Sequence, residues 1–588
     1  MRPRTDHTGP PTGRVTLALG AIGVLLAAAD TYVIVLALPD MMVGVGLDVD
    51  ELQRAAPLVS MFLLGYVVVL PLAGRISDVA GRLPVLLGAL LVFAGGSLVT
   101  AAATGLAEAV SGRFLQGAGG GALVPVTLAL VADLWPPERR GVPLGVVGAV
   151  QELGAVIGPL YGAVVIALAD WRAIFWINLS AGLALATGVY VAGRTPVTPA
   201  AGQVRGGGRD WLGASLAVGA FAAASVALVR PSGLEQSVRW GALLIPAIER
   251  LGWTTPAALV GLALIFAFAV RELTTQRPLV DLRRVPAVLR AADLPGSLLL
   301  GSALGLIVLT FAVADPQVEY MTPAGPWLLV VAGAALAGFA WWQRRSRHPL
   351  VPPAAIRPRP AWGALLVSVF IGAALVAILV DVPVMARTVV PGADQFDAAL
   401  VLMQFLVALP VGALLGGWLL QRVPPALAAA SGLALGTAGI AVMATWGIGS
   451  FAGSGDNAVL VTTGFGFGLA IAPVNAAVLA ATARETHGVA SALVVAARMV
   501  GMLAGLSALT AIGLRRLYAE QARIEPPTVL CPQTPTQCPP YDDAVREAIV
   551  AQLQATFAGA AVCAAVAAIA AFVLLRNPAG SLATAVRP

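Results

Sequence analysis

Charged residues are scarce in this sequence, and none of its 36 basic residues is a lysine. Only 11% of the 588 residues are charged, against roughly 25% in soluble domains, so a soluble domain of ordinary surface composition is excluded. The three histidines, His7, His348 and His487, lie far apart in predicted tails and loops. Because such spacing disfavours a histidine-based metal site or nucleophile, we expect no enzyme, no catalytic residue, no metal ion and no cofactor.

Signals for nucleotide or nucleic-acid binding are missing as well. Gly464, Gly466 and Gly468 follow no predicted strand and no lysine accompanies them, which argues against a phosphate-binding loop. The formal net charge of +6 is spread over many short segments rather than gathered on one basic face. We therefore expect no nucleic acid among the partners.

Long apolar runs dominate what is present, and 58% of the residues are hydrophobic. Runs of about 18 residues or more, each able to cross roughly 30 Å of hydrocarbon as a helix, recur from Val15 to Leu575. The first run carries Asp30 and lacks a small-residue cleavage site, so we interpret it as a retained helix rather than a signal peptide. The predicted fold class is an all-α polytopic membrane protein.

Hydropathy, glycine and proline positions and arginine clusters predict two sets of six membrane helices. The first set lies near 15–38, 55–73, 84–103, 107–132, 142–168 and 173–193, and the second near 361–386, 397–421, 425–446, 457–481, 488–512 and 548–575. These sets define an N-terminal bundle at 15–194 and a C-terminal bundle at 361–576, with tails at 1–14 and 577–588 and a long outer loop at 513–547.

Residues 195–360 form a central insert with four further apolar runs, near 211–229, 255–270, 294–314 and 326–342. The insert contains an internal repeat, because Asp210-Trp-Leu-Gly213 resembles Asp293-Leu-Pro-Gly296 and Arg277-Pro-Leu-Val280 resembles His348-Pro-Leu-Val351. We interpret it as two related helix hairpins, for about 16 transmembrane helices in total. The alternative is that the first pair is amphipathic or re-entrant, since 255–270 is barely long enough to span.

The arginines predict the orientation, because basic residues collect in cytoplasmic loops. With the N-terminus in the cytoplasm most arginines fall in cytoplasmic segments, so we expect both termini inside a bacterial inner membrane. Cys531 and Cys538 then lie in the outer loop, where an oxidising compartment allows a disulfide. Cys563 falls in the last helix and is expected to be inert.

The segment between predicted helices 2 and 3 combines glycines with charges. Gly74 and Gly81 permit a tight turn with close helix approach, while Asp78 and Arg82 can form charged contacts across the ends of the bundles. The segment resembles the loop signature of the major facilitator superfamily. That resemblance implies two six-helix bundles and a cytoplasmic gating role for these four residues.

Predicted helix 4 carries an arginine inside the membrane. Arg113 costs about 2.5 to 3.5 kcal/mol on insertion scales, so it is expected to face a partner or a water-filled cavity. Together with Gln116 and Gly117 it resembles the helix-4 signature of the superfamily, which implies a link to proton coupling. The alternative is a structural ion pair that holds the N-terminal bundle together.

Predicted helix 5 has small residues at the spacing of an antiporter signature, namely Gly145, Gly154, Gly158, Pro159 and Gly162. Small residues let membrane helices approach closely, and a proline bends a helix or frees a carbonyl. The pattern resembles that of drug-exporting members of the superfamily, which implies export rather than uptake. Packing alone remains the alternative, because glycine is common in membrane helices.

Three ionisable residues lie within predicted helices: Asp30, Glu152 and Arg498. A buried carboxylate is costly when charged, so it takes up a proton or pairs with a cation. Their surroundings, together with Leu64-Gly65-Tyr66 and Ile174-Phe175-Trp176-Ile177-Asn178, resemble the mycobacterial triacylglyceride exporters that cooperate with a lipid-carrying lipoprotein. The resemblance implies proton coupling by Asp30 and Glu152 and an ion lock between Glu152 and Arg498. Permanent structural contacts are the alternative.

The resemblance implies a proton-coupled exporter that works by alternating access, is driven by the proton gradient and carries triacylglyceride or a related lipid. A multidrug:proton antiporter is the alternative, and a non-transporting scaffold or receptor is an alternative of another class. Expected partners are a lipid or hydrophobic small molecule, protons and a periplasmic lipid-carrying lipoprotein, with the chain itself a monomer. The loop at 513–547 is either a partner-contact element or an inert capped loop.

Overall fold

The structure is a computed structural model. It describes residues 11–47, 52–193, 210–229, 240–245, 255–275, 282–312, 324–346, 349–352, 356–390, 392–393, 395–451, 453–534 and 538–576. Helix is the only regular secondary structure in these residues. A continuous helix suits hydrocarbon, because each backbone N–H finds its acceptor within the same segment.

Sixteen long helices occur in the described part of the chain. The first bundle consists of α1 (Pro11–Gly44), α2 (Leu52–Ala80), α3 (Arg82–Ala102), α4 (Leu106–Leu134), α5 (Gly141–Leu168) and α6 (Arg172–Ala192). The insert contributes α7 (Trp211–Val229), α8 (Pro256–Thr274), α9 (Leu294–Ala312) and α10 (Gly325–Arg345). The second bundle consists of α11 (Arg359–Val389), α12 (Gln395–Leu419), α13 (Pro425–Met443), α14 (Ser454–Ala481), α15 (His487–Gln521) and α16 (Pro539–Leu574). Short helices span Pro137–Arg139, Gly241–Leu244, Val285–Ala291, Arg484–Thr486 and Pro527–Leu530.

The two bundles repeat one packing scheme. In the first bundle α1 packs on α5, α2 on α4, and α3 on both α4 and α6. In the second bundle α11 packs on α15, α12 on α14, and α13 on both α14 and α16. Each helix of the first bundle therefore corresponds to the helix ten numbers later, and the bundles meet through the matching pairs α2 with α15 and α5 with α12.

Close glycine contacts fix the register of this correspondence. Gly117 packs against the Phe62 carbonyl, as Gly464 packs against the Phe405 carbonyl. One turn further on, Gly121 meets the Tyr66 carbonyl and Gly468 meets the Leu409 carbonyl. On α5 and α15, Gly154 meets the Leu25 carbonyl and Gly501 the Val369 carbonyl. Residues of the two bundles can therefore be compared position by position.

The insert forms two hairpins, α7 with α8 and α9 with α10. Fifteen of the described helices are long and apolar enough to cross a membrane, and counting the bent pair Val285–Ala291 and Leu294–Ile307 as one span brings the number to 16. Helix α8 has 19 residues and is among them, so by length and composition it does not require the re-entrant alternative. The hairpin α9–α10 docks on the bundles, since α9 packs on both α2 and α15.

The predicted repeat in the insert has a structural counterpart. Asp210 Oδ1 accepts the Gly213 N–H at 3.0 Å, and Asp293 Oδ1 accepts the Gly296 N–H at 3.3 Å, so each aspartate caps the start of its hairpin. Asp210 also binds Arg271 near the end of α8, and this hydrogen bond lowers the pKa of its carboxyl. Asp293 instead accepts from Trp342, Gln343 and the Leu350 N–H. The other half of the predicted repeat, residues 277–280 and His348, lies outside the described residues.

Helices α15 and α16 extend into the segment 513–547, which the sequence predicted to be a long outer loop. Helix α15 continues to Gln521 and α16 begins at Pro539, which leaves a short connection joined by a disulfide between Cys531 and Cys538. The helices continue past the apolar run because helix formers with a favourable pair, Arg516 and Glu520 at 2.7 Å, follow it. Similarly, α1 begins at Pro11 inside the predicted tail, whereas residues 1–10 and 577–588 lie outside the described part.

Candidate transport cavity and its charged residues

A cavity of about 270 Å³ lies between the two bundles. Its walls differ in chemistry. The polar lining residues from α1, α2 and α5 are Thr31, Tyr32, Tyr66, Gln151 and Glu152. From α11, α12 and α15 come Leu375, Leu379, Phe405, Leu406, Leu409, Met499 and Met502, with Arg498 as the polar exception. The first-bundle side also includes Ala28, Leu63 and Ala155. The cavity therefore has one wall with five polar side chains, here called the polar wall, and one wall that is apolar except for Arg498.

Asp30 lies at the centre of a buried hydrogen-bond network behind the polar wall. Arg113 Nη1 is 2.5 Å from Asp30 Oδ2, and both side chains are fully buried. Asn178 Nδ2 donates to Asp30 Oδ1 at 2.5 Å, and Gln116 Nε2 lies 3.4 Å from the same oxygen. Gln116 Oε1 accepts in turn from Arg113 at 3.0 Å. The carboxylate thus faces three side-chain donors on α4 and α6.

This network suits an ionised carboxylate paired with an arginine. Hydrogen bonds to the charged form favour that form, and Arg113 also lies 4.5 Å over the Phe62 ring. A fully buried ion pair is costly to assemble, yet removal of one partner leaves a buried charge uncompensated. If Arg113 forms a structural ion pair that holds the N-terminal bundle together, which is the alternative to proton coupling, then its partner is Asp30.

Glu152 and Arg498 form a second ion pair, and this one joins the two bundles. Arg498 Nη1 lies 3.4 Å from Glu152 Oε1, and the side chains are 13% and 14% exposed. In the described residues this is the one side-chain hydrogen bond or ion pair that either group makes. Because both residues line the cavity, a change in the charge of either side chain alters both the cavity lining and the contact between the bundles.

The bundles also meet at the membrane face that carries the α2–α3 turn at Gly81, here called the Gly81 face. Gly81 has a φ of 94°, a conformation that favours glycine. About two turns of helix before it, Gly74 packs backbone to backbone against Gly488 at the start of α15. Asp78 accepts the N–H groups of Gly488 at 2.9 Å and Val489 at 3.1 Å, which places a carboxylate on the positive end of α15.

Further charges extend this contact. Arg82 binds Asp78 at 2.5 Å and Asp133 at 2.9 Å, and Asp133 also accepts from Arg484 at 3.2 Å. Asp133 therefore bridges an arginine of each bundle. Arg140 lies beside this group, where burial lowers the pKa of its guanidinium while the charge of Asp133 opposes that shift. The bundles meet along two contacts, here called seams: α2 with α15, and α5 with α12. On the second seam, Gly145 packs against Gly417 and the Ala413 carbonyl. Both seams are closed at the Gly81 face.

Comparison with known proteins agrees with this architecture. The sequence pattern of the Major Facilitator Superfamily matches residues 20–506. The chain belongs to that superfamily. It is therefore a multi-pass membrane transporter by family, as the loop and helix-4 signatures predicted.

Individual relatives carry more specific names. A triacylglyceride transporter of Mycolicibacterium hassiacum is 35% identical over 541 residues, which cover 90% of this chain and 84% of that protein. A triacylglyceride transporter of Mycobacteroides abscessus is 32% identical over 515 residues, covering 86% and 83% respectively. The crystal structure of a human organic anion transporter aligns with 96% of this chain and 100% of its own at a TM-score of 0.53. At 15% identity that structure supports the fold alone.

The superfamily motifs occupy defined contacts. Of the antiporter pattern on α5, Gly145 faces α12, whereas Gly154, Gly158 and Gly162 face α1 at Leu25–Ala29 and Val33. On α4, Gly117 faces the α2 backbone. Pro159 lies inside the unbroken helix α5. The small residues therefore bring α5 onto a helix of each bundle.

Several contributors were not identified from sequence. Asn178 was part of the family resemblance but not assigned to Asp30, and Asp133 and Arg484 were not singled out. Their roles depend on pairings 148 and 351 residues apart, for which the sequence has no local signal. Tyr66 was part of the family resemblance as well, and neither Tyr32 nor Tyr66 was assigned a role. In the part of the chain that the structure describes, no cluster of three His, Cys, Asp or Glu side chains is arranged to hold a metal ion.

Proposed function

We propose that the chain is a proton-coupled secondary active exporter of apolar cargo, which works by alternating access. The observation that carries the proposal is the ion pair between Glu152 and Arg498, which joins the bundles inside the cavity. A single contact of 3.4 Å at a partly exposed site is well suited to be broken and remade.

The proposed step is an exchange of the partner of Glu152. While Glu152 is ionised it pairs with Arg498 and supports closure of the Gly81 face. A proton on Glu152 removes the charge attraction, because a neutral carboxyl no longer attracts the guanidinium. The bundles then separate at the Gly81 face and close on the other side. Release of the proton restores the pair and completes the cycle.

Asp30 has a different place in this proposal. Arg113, Asn178 and Gln116 present donors to its two oxygens, so a proton on Asp30 requires one donor to leave. We infer that Asp30 stays ionised in this conformation and exchanges a proton only after α4 or α6 moves. Glu152 is then the first proton acceptor, and Asp30 couples the first bundle to it.

The proposed location is a bacterial inner membrane with both termini in the cytoplasm. The arginine distribution supports this orientation. The Gly81 face is then cytoplasmic, so the described state is shut toward the cytoplasm. Cys531 and Cys538 lie at the opposite, periplasmic side, where a disulfide is stable.

Triacylglyceride or a related lipid is the proposed cargo. The relatives named as triacylglyceride transporters and the apolar second wall of the cavity support it. The same apolar wall favours one second candidate, export of hydrophobic drugs, because apolar area alone does not separate the two cargo classes. A non-transporting scaffold is disfavoured, since it has no use for ion pairs inside hydrocarbon.

A periplasmic lipid-carrying lipoprotein is the proposed protein partner, with the exporter itself a monomer. The ends of α15 and α16 near Gln521 and Pro539, together with the disulfide-closed loop between Cys531 and Cys538, form the proposed contact region. This part of the proposal follows the family resemblance and is separable from the proton switch.

The experiment is transport in proteoliposomes that hold a pH gradient. Movement of a fluorescent triacylglyceride and of a hydrophobic dye is compared for wild type, Glu152→Gln and a matched control, Glu547→Gln. Glu547 is exposed and does not line the cavity, so its substitution makes the same chemical change elsewhere. We expect gradient-driven movement in wild type and control, and loss of the gradient dependence in Glu152→Gln.

Two results would overturn the proposal. Movement that ignores the gradient in wild type excludes proton coupling, and unchanged gradient-driven movement in Glu152→Gln excludes Glu152 as the switch. Dye movement without triacylglyceride movement supports the drug antiporter instead.

A further inference from the structure

Three polar side chains in the cavity take no part in the proposed proton switch: Tyr32, Tyr66 and Gln151. Within the described residues, none of their side chains makes a hydrogen bond to the protein. Thr31 differs, because its hydroxyl already donates to the Ala27 carbonyl at 3.0 Å. A polar group that lines an otherwise apolar pocket without a protein partner is available to orient a ligand.

All three groups belong to the first bundle. Tyr32 lies on α1, Tyr66 on α2 and Gln151 on α5. By the glycine register, Tyr66 corresponds to Leu409, which lines the cavity on the opposite side. The two walls therefore differ in side-chain polarity at matched positions of the same helix packing. An amphiphilic cargo fits both walls in one orientation, with its polar groups toward the first bundle and its apolar part toward the second.

The charges of the cavity restrict the cargo further. Glu152 and Arg498 neutralise each other across it. An anionic cargo would compete for Arg498 and a cationic cargo for Glu152, and either one would break the pair on which the proposed switch depends. A neutral cargo leaves the pair intact.

The donors indicate which neutral group is recognised. A phenol hydroxyl and a primary amide can both donate a hydrogen bond, whereas an ester offers only acceptors. We propose that Tyr32, Tyr66 and Gln151 bind the ester carbonyl oxygens of a neutral acylglycerol, whose acyl chains lie against the wall of Leu375, Phe405 and Met499. This inference rests on the proposed function and names the chemical group that the same cavity selects.

The size of the cavity agrees with recognition of the ester end. Its volume of about 270 Å³ is just below the roughly 300–1,000 Å³ of pockets that enclose a drug-sized ligand. Three long acyl chains do not fit in that space. The glycerol with its ester groups fits, so the part of the lipid inside the cavity is the part to which the three donors can hydrogen-bond.

The test compares a triester with its triether. The purified full-length chain in detergent is titrated with trioleoylglycerol and with the trioleyl ether of glycerol, which has the same chains and no carbonyl. Each competes against a fluorescent triacylglyceride. We expect wild type to prefer the triester by about tenfold, the effect of one to two hydrogen bonds.

Substitutions assign this preference to the cavity. Tyr32→Phe and Tyr66→Phe are each expected to weaken triester binding severalfold and to leave triether binding unchanged, and the double substitution removes the preference. Tyr161→Phe is the matched control, because the Tyr161 hydroxyl donates to the Ile174 carbonyl at 3.2 Å and the residue does not line the cavity. The control is expected to keep the wild-type ratio.

Three outcomes would overturn the inference: equal binding of the two lipids by wild type, no triester binding, or parallel loss of both affinities in the tyrosine variants. The binding assay contains no pH gradient, so it is independent of proton coupling. Gradient-driven export with no ester preference would overturn this inference alone. An ester preference without gradient-driven export would overturn the proposed function and leave the binding site.

Discussion

The two bundles differ in chemistry at matched positions of the same packing scheme. Arg113 lies four residues before Gly117, so its counterpart four residues before Gly464 is Leu460, which is fully buried. Glu152 lies two residues before Gly154, so its counterpart before Gly501 is Met499, which lines the cavity. The packing of small residues therefore does not require the charges of the first bundle.

The buried charges of the first bundle are therefore not explained by the stability of the fold. The second bundle is held together by apolar packing at positions where the first bundle carries an ion pair, so an ion pair is not needed for this fold. Buried ion pairs are rarely better for stability than apolar residues of similar volume. We interpret the carboxylates of the first bundle as the groups that respond to protons, and the second bundle as a largely apolar counterpart that contributes Arg498 to the cavity.

Replacing Arg113 by leucine, the residue at the matched position of the second bundle, is expected to have the largest effect on stability. Arg113→Leu leaves Asp30 buried without its cation, which costs about 3–5 kcal/mol. Asp30→Ala combined with Arg113→Leu removes both charges and is expected to recover most of that loss. Thermal unfolding in detergent measures both variants. A double variant as unstable as Arg113→Leu alone would show that the first bundle needs the pair.

The contact between bundles at the Gly81 face is expected to have the next largest effect. Asp78→Asn keeps the shape of the side chain but removes the charge that accepts from Gly488 and Val489. Hydrogen bonds to charged groups contribute about 1.5–3 kcal/mol, so closure of this face is weakened by a comparable amount. Protease or thiol accessibility of the Gly81 face measures the shift. Unchanged accessibility would contradict a gating role for Asp78.

The bridge at Asp133 is expected to matter less. Of the two contacts that Asp133→Asn weakens, the less exposed one with Arg82 lies within the first bundle, and only the one with Arg484 joins the bundles; the Arg484 side chain is 70% exposed. Exposed pairs are typically worth about 0.2–1 kcal/mol and are screened by salt. The same accessibility assay should show a small shift that disappears at high salt. A shift as large as that of Asp78→Asn would contradict this ranking.

The smallest effect is expected at Asp381, the intramembrane carboxyl of the second bundle. Asp381 is half-buried on α11, and among the described residues nothing pairs with it. Asp381→Leu is therefore expected to leave stability unchanged or higher, within about 1 kcal/mol. Asp30→Leu, the same change in the first bundle, strands Arg113 and should be strongly destabilising. Similar losses in both variants would show that the bundles do not differ in this way.

The fold could be predicted from sequence because long apolar runs and Arg-rich connections are local signals. The positions of all 16 long helices follow from them, and the glycine pattern of α5 predicts close helix approach, although its partners α1 and α12 are known only from the structure. The ends of α15 and α16 could not be predicted in the same way. Hydropathy stops at the last apolar residue, whereas helical hydrogen bonding continues to Gln521 and begins again at Pro539.

The site was predictable only in part. An arginine or a carboxylate inside an apolar run is conspicuous, so Asp30, Arg113, Glu152 and Arg498 could be identified one by one. Which carboxylate pairs with which arginine depends on helix packing, and the pairing of Asp30 with Arg113 appears only in the structure. Tyrosines give no such signal, because a membrane helix contains them for many reasons.

The most direct test of the central claim, that the charge of Glu152 controls the Gly81 face, is the pH dependence of thiol labelling in the closed seam. Ala492 is buried beside Gly74 there, so Ala492→Cys in a Cys563→Ala background reports opening. Because the thiolate is the reactive form, labelling at each pH is normalised to that of the denatured protein. We predict that the normalised labelling rises as the pH falls, and that Glu152→Gln makes it high at every pH. The same pH dependence with and without Glu152→Gln would contradict the account.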